Sequence, residues 1–254
     1  MSGTAGAALV TGAARRIGRA LALDLADHGY DVAVHYRRSA EEAQAVVAAI
    51  EAQGRRAVAL AADLADEAET ARLIGAAATA LGPITLLVNN AAIFDYDRPE
   101  TADAASWQRH MAINLRAPLV LTQALLAGLP ADGTADVVNL IDERVLNLSP
   151  HYTSYTVAKA GLWALTRHLA LALAPRVRVN AIAPGPVLPH AAMSEEEFAA
   201  LCRATPLGRG PGVEEICRAL RLILEAPSMT GQMITLDGGR HLGWQAPPDG
   251  PAAS

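Results

Sequence analysis

Short runs of apolar residues alternate along this chain with longer stretches in which apolar residues recur every three or four positions. The runs are AALVTG, DVAVHY, RAVALAADL, ITLLVNNAA, ADVVNLI, VRVNAIAP and MITLDGG. Short, Val- and Ile-rich runs predict buried β-strands, whereas the spaced stretches between them predict amphipathic helices. Strict alternation of strand and helix predicts a parallel sheet with helices on both of its faces.

The helical stretches differ in length, and one of them spans about 102–129. A shorter helix, in MSEEEFAALCRAT, has Ser194 and Glu197 at the spacing of a capping box. The chain has no internal repeat and no obvious interdomain linker, so residues 1–245 are predicted to form one domain. The final residues, 246–254, are predicted to be a disordered tail.

Composition and charge exclude several kinds of partner. Hydrophobic residues make up 52% of the 254 positions, enough for a substantial core, while aromatic residues make up 4%. A formal net charge of −5 without a long basic block argues against nucleic acid and anionic membranes as partners.

The sequence shows no membrane span and no signal peptide: Arg167 and His168 interrupt a long apolar stretch, and the first residues lack a signal-peptide pattern. Cys202 and Cys217 fit neither a zinc motif nor a disulfide framework, so we expect a cytoplasmic protein without a metal site.

A glycine-containing turn, TGAARRIG, joins the first predicted strand to the first helix. Gly12 and Gly18 let the backbone approach a ligand, and the N-terminus of a helix favours a pyrophosphate. A glycine pair alone is also typical of an ordinary strand–helix turn. Its position after the N-terminal strand of a βαβ unit favours dinucleotide binding, with Arg15, Arg16 and Ile17 beside the ligand.

The end of the second strand indicates which dinucleotide binds. The sequence there is HYRRS, residues 35–39, and it has no acid to contact the ribose hydroxyls of NAD. Tyr36 in this segment is expected beside the cofactor. Arg37 and Arg38 can bind a 2′-phosphate, and Ser39 can donate to it. Two solvated loop arginines are the alternative, but cations near a helix N-terminus oppose the helix dipole unless an anion is bound. We therefore expect NADPH rather than NADH as the cofactor.

Further residues at strand ends complete the predicted cofactor groove, because open α/β sheets bind ligands at the carboxyl ends of their strands. They follow the third, fourth and sixth strands: Asp63, Leu64, Asn90, Ala91, Pro184 and Gly185. An adenine is expected beside Asp63 and Leu64. The small residues of NNAAIF let the backbone approach the nicotinamide ribose.

Together these residues resemble the short-chain dehydrogenase/reductase family over nearly the whole chain. The resemblance is carried by TGAARRIG, the NNA after the fourth strand, Asn114 in INL, Tyr155 and Lys159 in YTVAK, and RVNAIAPG. It implies a Rossmann-type, doubly wound, three-layer α/β fold with a seven-stranded parallel sheet, and a nicotinamide cofactor. It also implies a Tyr–Lys–Asn–Ser catalytic set, in which Asn114 holds a water of a proton relay and Lys159 binds the nicotinamide ribose. Tyr155 is expected to contact the cofactor as well. The closing segment TGQMITLDGGRHLGW resembles the family's subunit contact and implies a homotetramer.

The spacing of Tyr155 and Lys159 supports this chemistry independently. At i and i+4 the two residues share one helix face. A phenol is a suitable acid for a carbonyl or an imine, and a nearby ammonium lowers its pKa. An ordinary surface pair is the alternative, which the cofactor motifs upstream disfavour. For Asn114 the alternative is a hydrogen bond in the helix interior that distorts the turn.

One position departs from the family's catalytic set. The family's serine would stand at the position of Asp142. The pteridine reductases and dihydromonapterin reductases resemble this chain there, with an Asp at the end of the fifth strand. Arg16 in the glycine turn, the HYRRS segment and Phe94 resemble the same branch, which stacks an aromatic side chain on the pterin ring. A carboxylate opposes phenolate formation, so Asp142 is expected to hold Tyr155 as a proton donor and to titrate as a unit with it.

The same residues predict how a substrate is held. The N–H and amino groups of a pterin can donate to Asp142, and Phe94 can position the flat ring. Arg16, Tyr155, and Pro186 and Leu188 of a substrate loop at about 185–205 are the other expected substrate contacts. Ala92, however, stands where the branch often has a ligand-contacting serine. Each residue also has an ordinary interpretation: a turn cap for Asp142, a core aromatic for Phe94 and a helix-surface cation for Arg16.

The predicted function is reduction of a dihydropteridine by NADPH, with dihydrobiopterin, dihydromonapterin or a dihydrofolate as candidates. Hydride passes to a C=N bond, and Tyr155 assists protonation. Two alternatives stay open: an NADP-dependent reductase of a ketone, sugar or acyl-thioester carbonyl, and a non-catalytic NADPH-binding regulatory protein. The carbonyl alternative predicts that Asp142→Ser preserves or raises activity. Retention of Tyr155, Lys159 and Asn114 argues against the non-catalytic one.

Overall fold

The parallel sheet predicted from the apolar runs is present in the structure. The computed structural model describes residues 5–190 and 193–243, and the predicted tail at 246–254 lies outside them. The sheet has seven parallel strands in the order β3-β2-β1-β4-β5-β6-β7. They are β1 Gly6–Val10, β2 Tyr30–Tyr36, β3 Ala57–Ala61, β4 Ile84–Asn89, β5 Ala135–Leu140, β6 Val177–Pro184 and β7 Met233–Leu236. The strand order reverses between β1 and β4, which opens a crevice at their carboxyl ends.

Helices cover both faces of the sheet. In the described ranges they are α1 Arg16–Asp27, α2 Ala40–Ala52, α3 Glu67–Leu81, α4 Ala104–Met111, α5 Ala117–Gly128, α6 Thr153–Leu173, α7 Glu195–Arg203 and α8 Val213–Glu225. On one face Leu21 of α1 and Ile216 of α8 are buried against the strands, and on the other face Leu73 of α3 and Leu121 of α5 are buried. Each such side chain contributes about 1.5–3 kcal/mol through burial. The result is the three-layer, doubly wound α/β fold that the family resemblance implies.

The long helical region expected at 102–129 is present but is not a continuous α-helix. Between α4 and α5, a π-helical turn occupies Ala112–Arg116. By length and composition alone, Ala104–Gly128 would be able to cross a membrane. Leu121 and Leu125, however, are fully buried against the sheet. This burial is typical of the core helix of a globular domain.

The short helix predicted from its capping box is confirmed as α7. The hydroxyl of Ser194 accepts from the N–H of Glu197 at 3.2 Å, and the carboxylate of Glu197 accepts from the N–H of Ser194 at 2.8 Å. A cap of this kind contributes about 1 kcal/mol to a helix. It fixes the start of α7 within the predicted substrate loop.

Candidate active site

Two adjoining cavities open at the carboxyl edge of the sheet. The smaller cavity, about 500 Å³, lies at the ends of β1, β2, β3 and β4. The larger cavity, about 830 Å³, lies at the ends of β5 and β6. Arg15, Arg16, Ile17 and Asn90 line both cavities, so the two form one continuous groove.

The turn between β1 and α1 presents backbone to the smaller cavity. Gly12 has a φ of +63°, a conformation that favours glycine. A Cβ on Gly18 would lie 2.3 Å from the carbonyl oxygen of Gly12, so only glycine lets the helix start this close to the turn. Arg15 at the N-cap provides no side-chain cap, and the first turn of α1 contains no acid. The first N–H groups of α1 are therefore available to an anion.

Residues with cationic and hydroxyl side chains at the end of β2 form another part of the smaller cavity. The predicted residues on this wall are Tyr36, Arg37, Arg38 and Ser39, together with Asp63 and Leu64 after β3. Ser39 is the N-cap of α2, yet its hydroxyl makes no cap hydrogen bond. Arg37 lies 3.9 Å from the carboxylate of Asp63, measured from Nη1 to Oδ2. Two guanidinium groups and an uncapped helix start make this wall suitable for a phosphate.

The end of β4 braces the glycine turn. The side-chain amide of Asn90 donates to the carbonyl oxygen of Thr11 at 2.8 Å. The hydroxyl of Thr11 in turn accepts from the N–H groups of Asn90 and Ala91, at 2.9 and 3.0 Å. Asn90 and Ala91 therefore lie on the cavity wall as predicted, while the Asn90 amide itself holds the turn in place.

Arg16 connects the glycine turn to the predicted substrate loop. Its φ of +56° is left-handed, a conformation that costs a residue with a Cβ about 1–2 kcal/mol. Its guanidinium donates to the carbonyl oxygens of Pro189 and Leu188, at 2.8 and 3.3 Å. The side chain thus crosses the groove instead of lying along α1. Strain retained at such a position is typical of a functional turn.

The two residues that the sequence singled out, Asp142 and Tyr155, are in direct contact. The hydroxyl of Tyr155 donates to Oδ2 of Asp142 at 2.8 Å, and Oδ1 accepts from the N–H of Arg144 at 2.9 Å. Burial, followed by the charge and the hydrogen bond of Asp142, raises the pKa of Tyr155 well above its ordinary value. Tyr155 therefore keeps its proton at neutral pH, which is the state required of a proton donor.

Lys159 lies one turn further along α6 and is buried beside the tyrosine. Its Nζ donates to the carbonyl oxygen of Leu140 at 2.6 Å and lies 5.7 Å from the ring centroid of Tyr155. Burial lowers the pKa of Lys159 to about 8, while Asp142 acts in the opposite direction. The lysine is thus mainly cationic at pH 7, and it fixes the end of β5 against α6.

Asn114 lies within the π-helical turn and lines neither cavity. Its side-chain amide donates to the carbonyl oxygen of Ile93 and accepts from the N–H of the same residue, both at 2.9 Å. These bonds fix the segment after β4 to the distorted helix. They lead to Ile93 outside the helix, and the part of Asn114 in a proton relay stays a prediction.

An aromatic cluster stands beside the tyrosine in the larger cavity. Phe94 stacks on Tyr152 with ring centroids 4.1 Å apart, and it meets Tyr155 edge-on at 4.6 Å. The guanidinium carbon of Arg144 lies 5.0 Å from the ring centroid of Tyr152. Phe94 thus lines the cavity as predicted, but Tyr152 covers one face of its ring. Sequence reasoning missed Tyr152, although it precedes Tyr155 by one helical turn.

Glu143, the residue after Asp142 in the chain, is buried at the edge of the larger cavity with 2% of its surface exposed. The guanidinium of Arg240 donates to its Oε1 at 2.7 Å, and Oε2 has no hydrogen-bond partner among the described residues. Burial raises the pKa of Glu143 to about 7, although Arg240 opposes the shift. Two adjacent acids were visible in the sequence, but a partner 97 positions away was not.

Replacing Glu143 by Gln is expected to remove a pH dependence of stability. The pKa of Glu143 is about 7 in the folded protein, against an ordinary value of 4.5. The stabilisation is therefore complete below pH 4.5 and is lost as the pH rises through 7. The loss amounts to about 3 kcal/mol. Urea unfolding from pH 4 to 8 should show this loss in the wild type and in Glu100→Gln, an exposed control, but not in Glu143→Gln. Parallel profiles for all three proteins contradict the prediction.

The segment after β6 closes the larger cavity. The predicted residues Pro184, Gly185, Pro186 and Leu188 lie on its wall, and so do Met193, Phe198 and Leu201, whose positions the sequence did not define. A Cβ on Gly185 would lie 2.8 Å from Cα of Asp237, so glycine permits the close approach of β6 to the end of β7. Within residues 5–190 and 193–243, no cluster of three His, Cys, Asp or Glu side chains is placed to hold a metal ion.

Comparison with known proteins identifies the family. A family model described as short chain dehydrogenase matches residues 6–200. The chain belongs to the short-chain dehydrogenase family. As a member of this family, the protein is an oxidoreductase. The family that the sequence motifs indicated is confirmed.

Individual relatives of this short-chain dehydrogenase differ in their substrates. The crystal structure of FolM alternative dihydrofolate reductase 1 from Brucella suis, in complex with NADP, is 46% identical with a TM-score of 0.92 and covers 96% of this chain and 98% of its own. A blue fluorescent protein from a metagenomic library, in complex with NADPH, is 33% identical with a TM-score of 0.86, covering 93% of this chain and 98% of its own. The 3-oxoacyl-[acyl-carrier-protein] reductase FabG of Staphylococcus aureus is 33% identical, over 92% of this chain and 98% of its own.

Proposed function

We propose that this enzyme uses NADPH to reduce the C=N bond of a dihydropteridine, in a free pterin or a folate. The observation that carries the proposal is the 2.8 Å hydrogen bond from Tyr155 to Asp142 at the position of the family's serine. Phe94 stands beside this pair, with its ring centroid 4.6 Å from that of Tyr155. The likeness to the FolM structures, described as alternative dihydrofolate reductases, supports the same substrate class.

The cofactor is NADPH, as the NADP- and NADPH-bound structures of its relatives support. The residues present fit this group, because the smaller cavity joins an uncapped helix start to the paired arginines Arg37 and Arg38. The glycine turn would hold the pyrophosphate, and Arg37, Arg38 and Ser39 would hold the 2′-phosphate. Bound there, NADPH supplies a hydride.

The residues of the larger cavity provide the other requirements of an imine reduction. Tyr155 holds a proton at Oη for the ring nitrogen, because burial and Asp142 disfavour its phenolate. The carboxylate of Asp142 accepts a hydrogen bond from the Tyr155 hydroxyl in this structure. It can instead accept hydrogen bonds from the N–H groups of a pterin. Lys159 provides a buried positive charge behind the tyrosine and stabilises the site after the proton has left. Phe94 provides an apolar surface for a flat ring.

Reduction of a carbonyl is the second candidate, because the FabG relatives, named for 3-oxoacyl thioesters, are 33% identical over most of the chain. A serine hydroxyl can donate to a substrate carbonyl oxygen, whereas an ionised carboxylate can only accept a hydrogen bond. Asp142 therefore disfavours a carbonyl substrate at this position. The pterin proposal explains Asp142, and the carbonyl candidate does not.

Oxidation of NADPH by the purified protein, followed at 340 nm, tests the proposal. Dihydrobiopterin, dihydromonapterin and dihydrofolate are offered beside acetoacetyl thioesters, simple ketones and sugars. We expect NADPH consumption that depends on a pterin or folate. Turnover of a carbonyl compound alone supports the second candidate, and turnover of none of these compounds removes the substrate proposal. A crystal soaked with NADPH and a pterin should show the ring stacked on Phe94.

Replacing Arg37 and Arg38 together by Ala is expected to raise KM for NADPH by about 100-fold or more, because charge-assisted hydrogen bonds contribute about 1.5–3 kcal/mol each and about 1.4 kcal/mol corresponds to a factor of ten. KM for NADH should change little, since NADH lacks the 2′-phosphate. The two single variants show which arginine dominates. Arg19→Ala, an exposed arginine of α1 outside the cavity wall, is the matched control. Equal losses for NADPH and NADH contradict the assignment.

We also propose that the enzyme is a cytoplasmic homotetramer, as the resemblance of its C-terminal segment implies. An apolar surface cavity of about 560 Å³ lies between α5 and α6, lined by residues including Leu115, Leu119 and Leu165. A second copy of the chain would cover these side chains. Native mass spectrometry of the purified protein measures the assembly, and a monomeric mass contradicts the proposal.

A further inference from the structure

The imidazole of His35 connects the glycine turn to the segment that follows β3. His35 lies near the carboxyl end of β2, between β1 and β3 in the sheet, and is 2% exposed. Its Nδ1 accepts from the N–H of Gly12 at 3.0 Å. Its Nε2 lies 3.1 Å from the carbonyl oxygen of Ala62. Its own carbonyl oxygen accepts from the N–H of Ala13 at 2.8 Å.

These partners admit one tautomer of His35. The N–H of Gly12 can only donate, so Nδ1 must present a lone pair. The carbonyl oxygen of Ala62 can only accept, so Nε2 must carry the proton. Burial lowers the pKa of His35, while Asp63 acts in the opposite direction, so the imidazole is neutral at pH 7. The other charged residues on this cavity wall are Arg15, Arg16, Arg37 and Arg38.

We propose that His35 is a positioning residue for the cofactor: its neutral imidazole sets the spacing between the glycine turn and the wall formed by Asp63 and Leu64. The glycine turn and the wall formed by Asp63 and Leu64 both line the smaller cavity. The proposed site holds the pyrophosphate on one side and the adenine on the other. Because the N–H of Gly12 is bound to His35 before any ligand arrives, the turn needs no rearrangement on binding. The inference rests on NADPH binding and is independent of the pterin.

The test compares substitutions that remove or keep the two hydrogen bonds. His35→Leu removes both, whereas His35→Gln keeps one acceptor and one donor without a titrating group. The dissociation constants for NADPH and for 2′,5′-ADP, which lacks the nicotinamide half, are measured by fluorescence and calorimetry at pH 7.5. His35→Leu is expected to weaken both ligands by about 10-fold or more through lost preorganisation. His35→Gln should restore most of the affinity. His28→Gln, outside both cavities, should bind as the wild type does.

Three results would overturn the proposal. One is binding by His35→Leu within about twofold of the wild type. Another is an equal loss of affinity in the Leu and Gln variants, which indicates that shape alone matters at this position. The third comes from the wild type itself: nitrogen chemical shifts that place the proton of His35 on Nδ1 contradict the hydrogen-bond pattern. This measurement decides the matter even if a variant fails to fold. The dissociation constants for NADPH and 2′,5′-ADP and the nitrogen chemical shifts can all be measured even if no pterin is turned over.

Discussion

Replacing Tyr155 by Phe is expected to lower kcat for dihydropteridine reduction by about 10³-fold, within the range for loss of a general acid. The substitution removes the hydroxyl that donates to Asp142 at 2.8 Å and leaves a ring that fills the same buried space. The dissociation constant for NADPH should stay within about twofold, because the hydroxyl makes its hydrogen bond to the carboxylate. Steady-state kinetics with a fluorescence titration of NADPH separates the two quantities.

The matched control for this variant is Tyr96→Phe. The hydroxyl of Tyr96 lies on an exposed side chain and is bonded to His151, outside the larger cavity. The Tyr96→Phe variant should keep nearly full activity. Activity of Tyr155→Phe above a tenth of the wild type would remove the tyrosine from the proton-donor role. An unchanged phenotype would favour the non-catalytic NADPH-binding alternative.

Replacing Asp142 by Ser is expected to lower activity toward dihydropteridines by about 100-fold or more, because the substitution removes the acceptor for pterin N–H groups and the charge that opposes phenolate formation. The carbonyl alternative predicts the opposite result, since the substitution restores the family's serine. Measuring kcat/KM for a dihydropterin and for an acetoacetyl thioester in the same preparation distinguishes the two. The activity–pH profile should also shift, because Asp142 raises the pKa of Tyr155.

Asp95→Asn is the control for the aspartate. Asp95 is half exposed and pairs with Arg109, and it lies outside the wall of the larger cavity. Its replacement should leave both activities unchanged. Undiminished pterin turnover in Asp142→Ser would show that the carboxylate is not required for reduction of a dihydropteridine and would contradict the prediction.

Local patterns in the chain were sufficient to place most of the groove. Gly12, Arg38 and Asp142 lie at the ends of predicted strands or within two residues of them, and parallel strands bring their carboxyl ends to one edge. The predicted cofactor residues on these ends accordingly line the two cavities. Tyr155 and Lys159 were also predictable, because their spacing on one helix implies a common face.

Contacts between distant segments were not predictable in this way. Arg16 reaches Pro189 across 173 positions, and Arg240 reaches Glu143 across 97. Nothing near Phe94 in the chain indicates that Tyr152 covers one face of its ring. The bonds between the side-chain amide of Asn114, in a π-helical turn, and the main chain of Ile93 were likewise not predictable from the sequence.

The sequence by itself determined the order of strands and helices, the family, and the residue types at each strand end, because all of these depend on short-range periodicity and on motifs. Only the tertiary structure decided which polar groups meet. It placed the guanidinium of Arg16 against Pro189, His35 between Gly12 and Ala62, and Glu143 in a buried position. The physical reason is that burial and hydrogen bonding control protonation, and both depend on the packing of segments that are far apart in the chain.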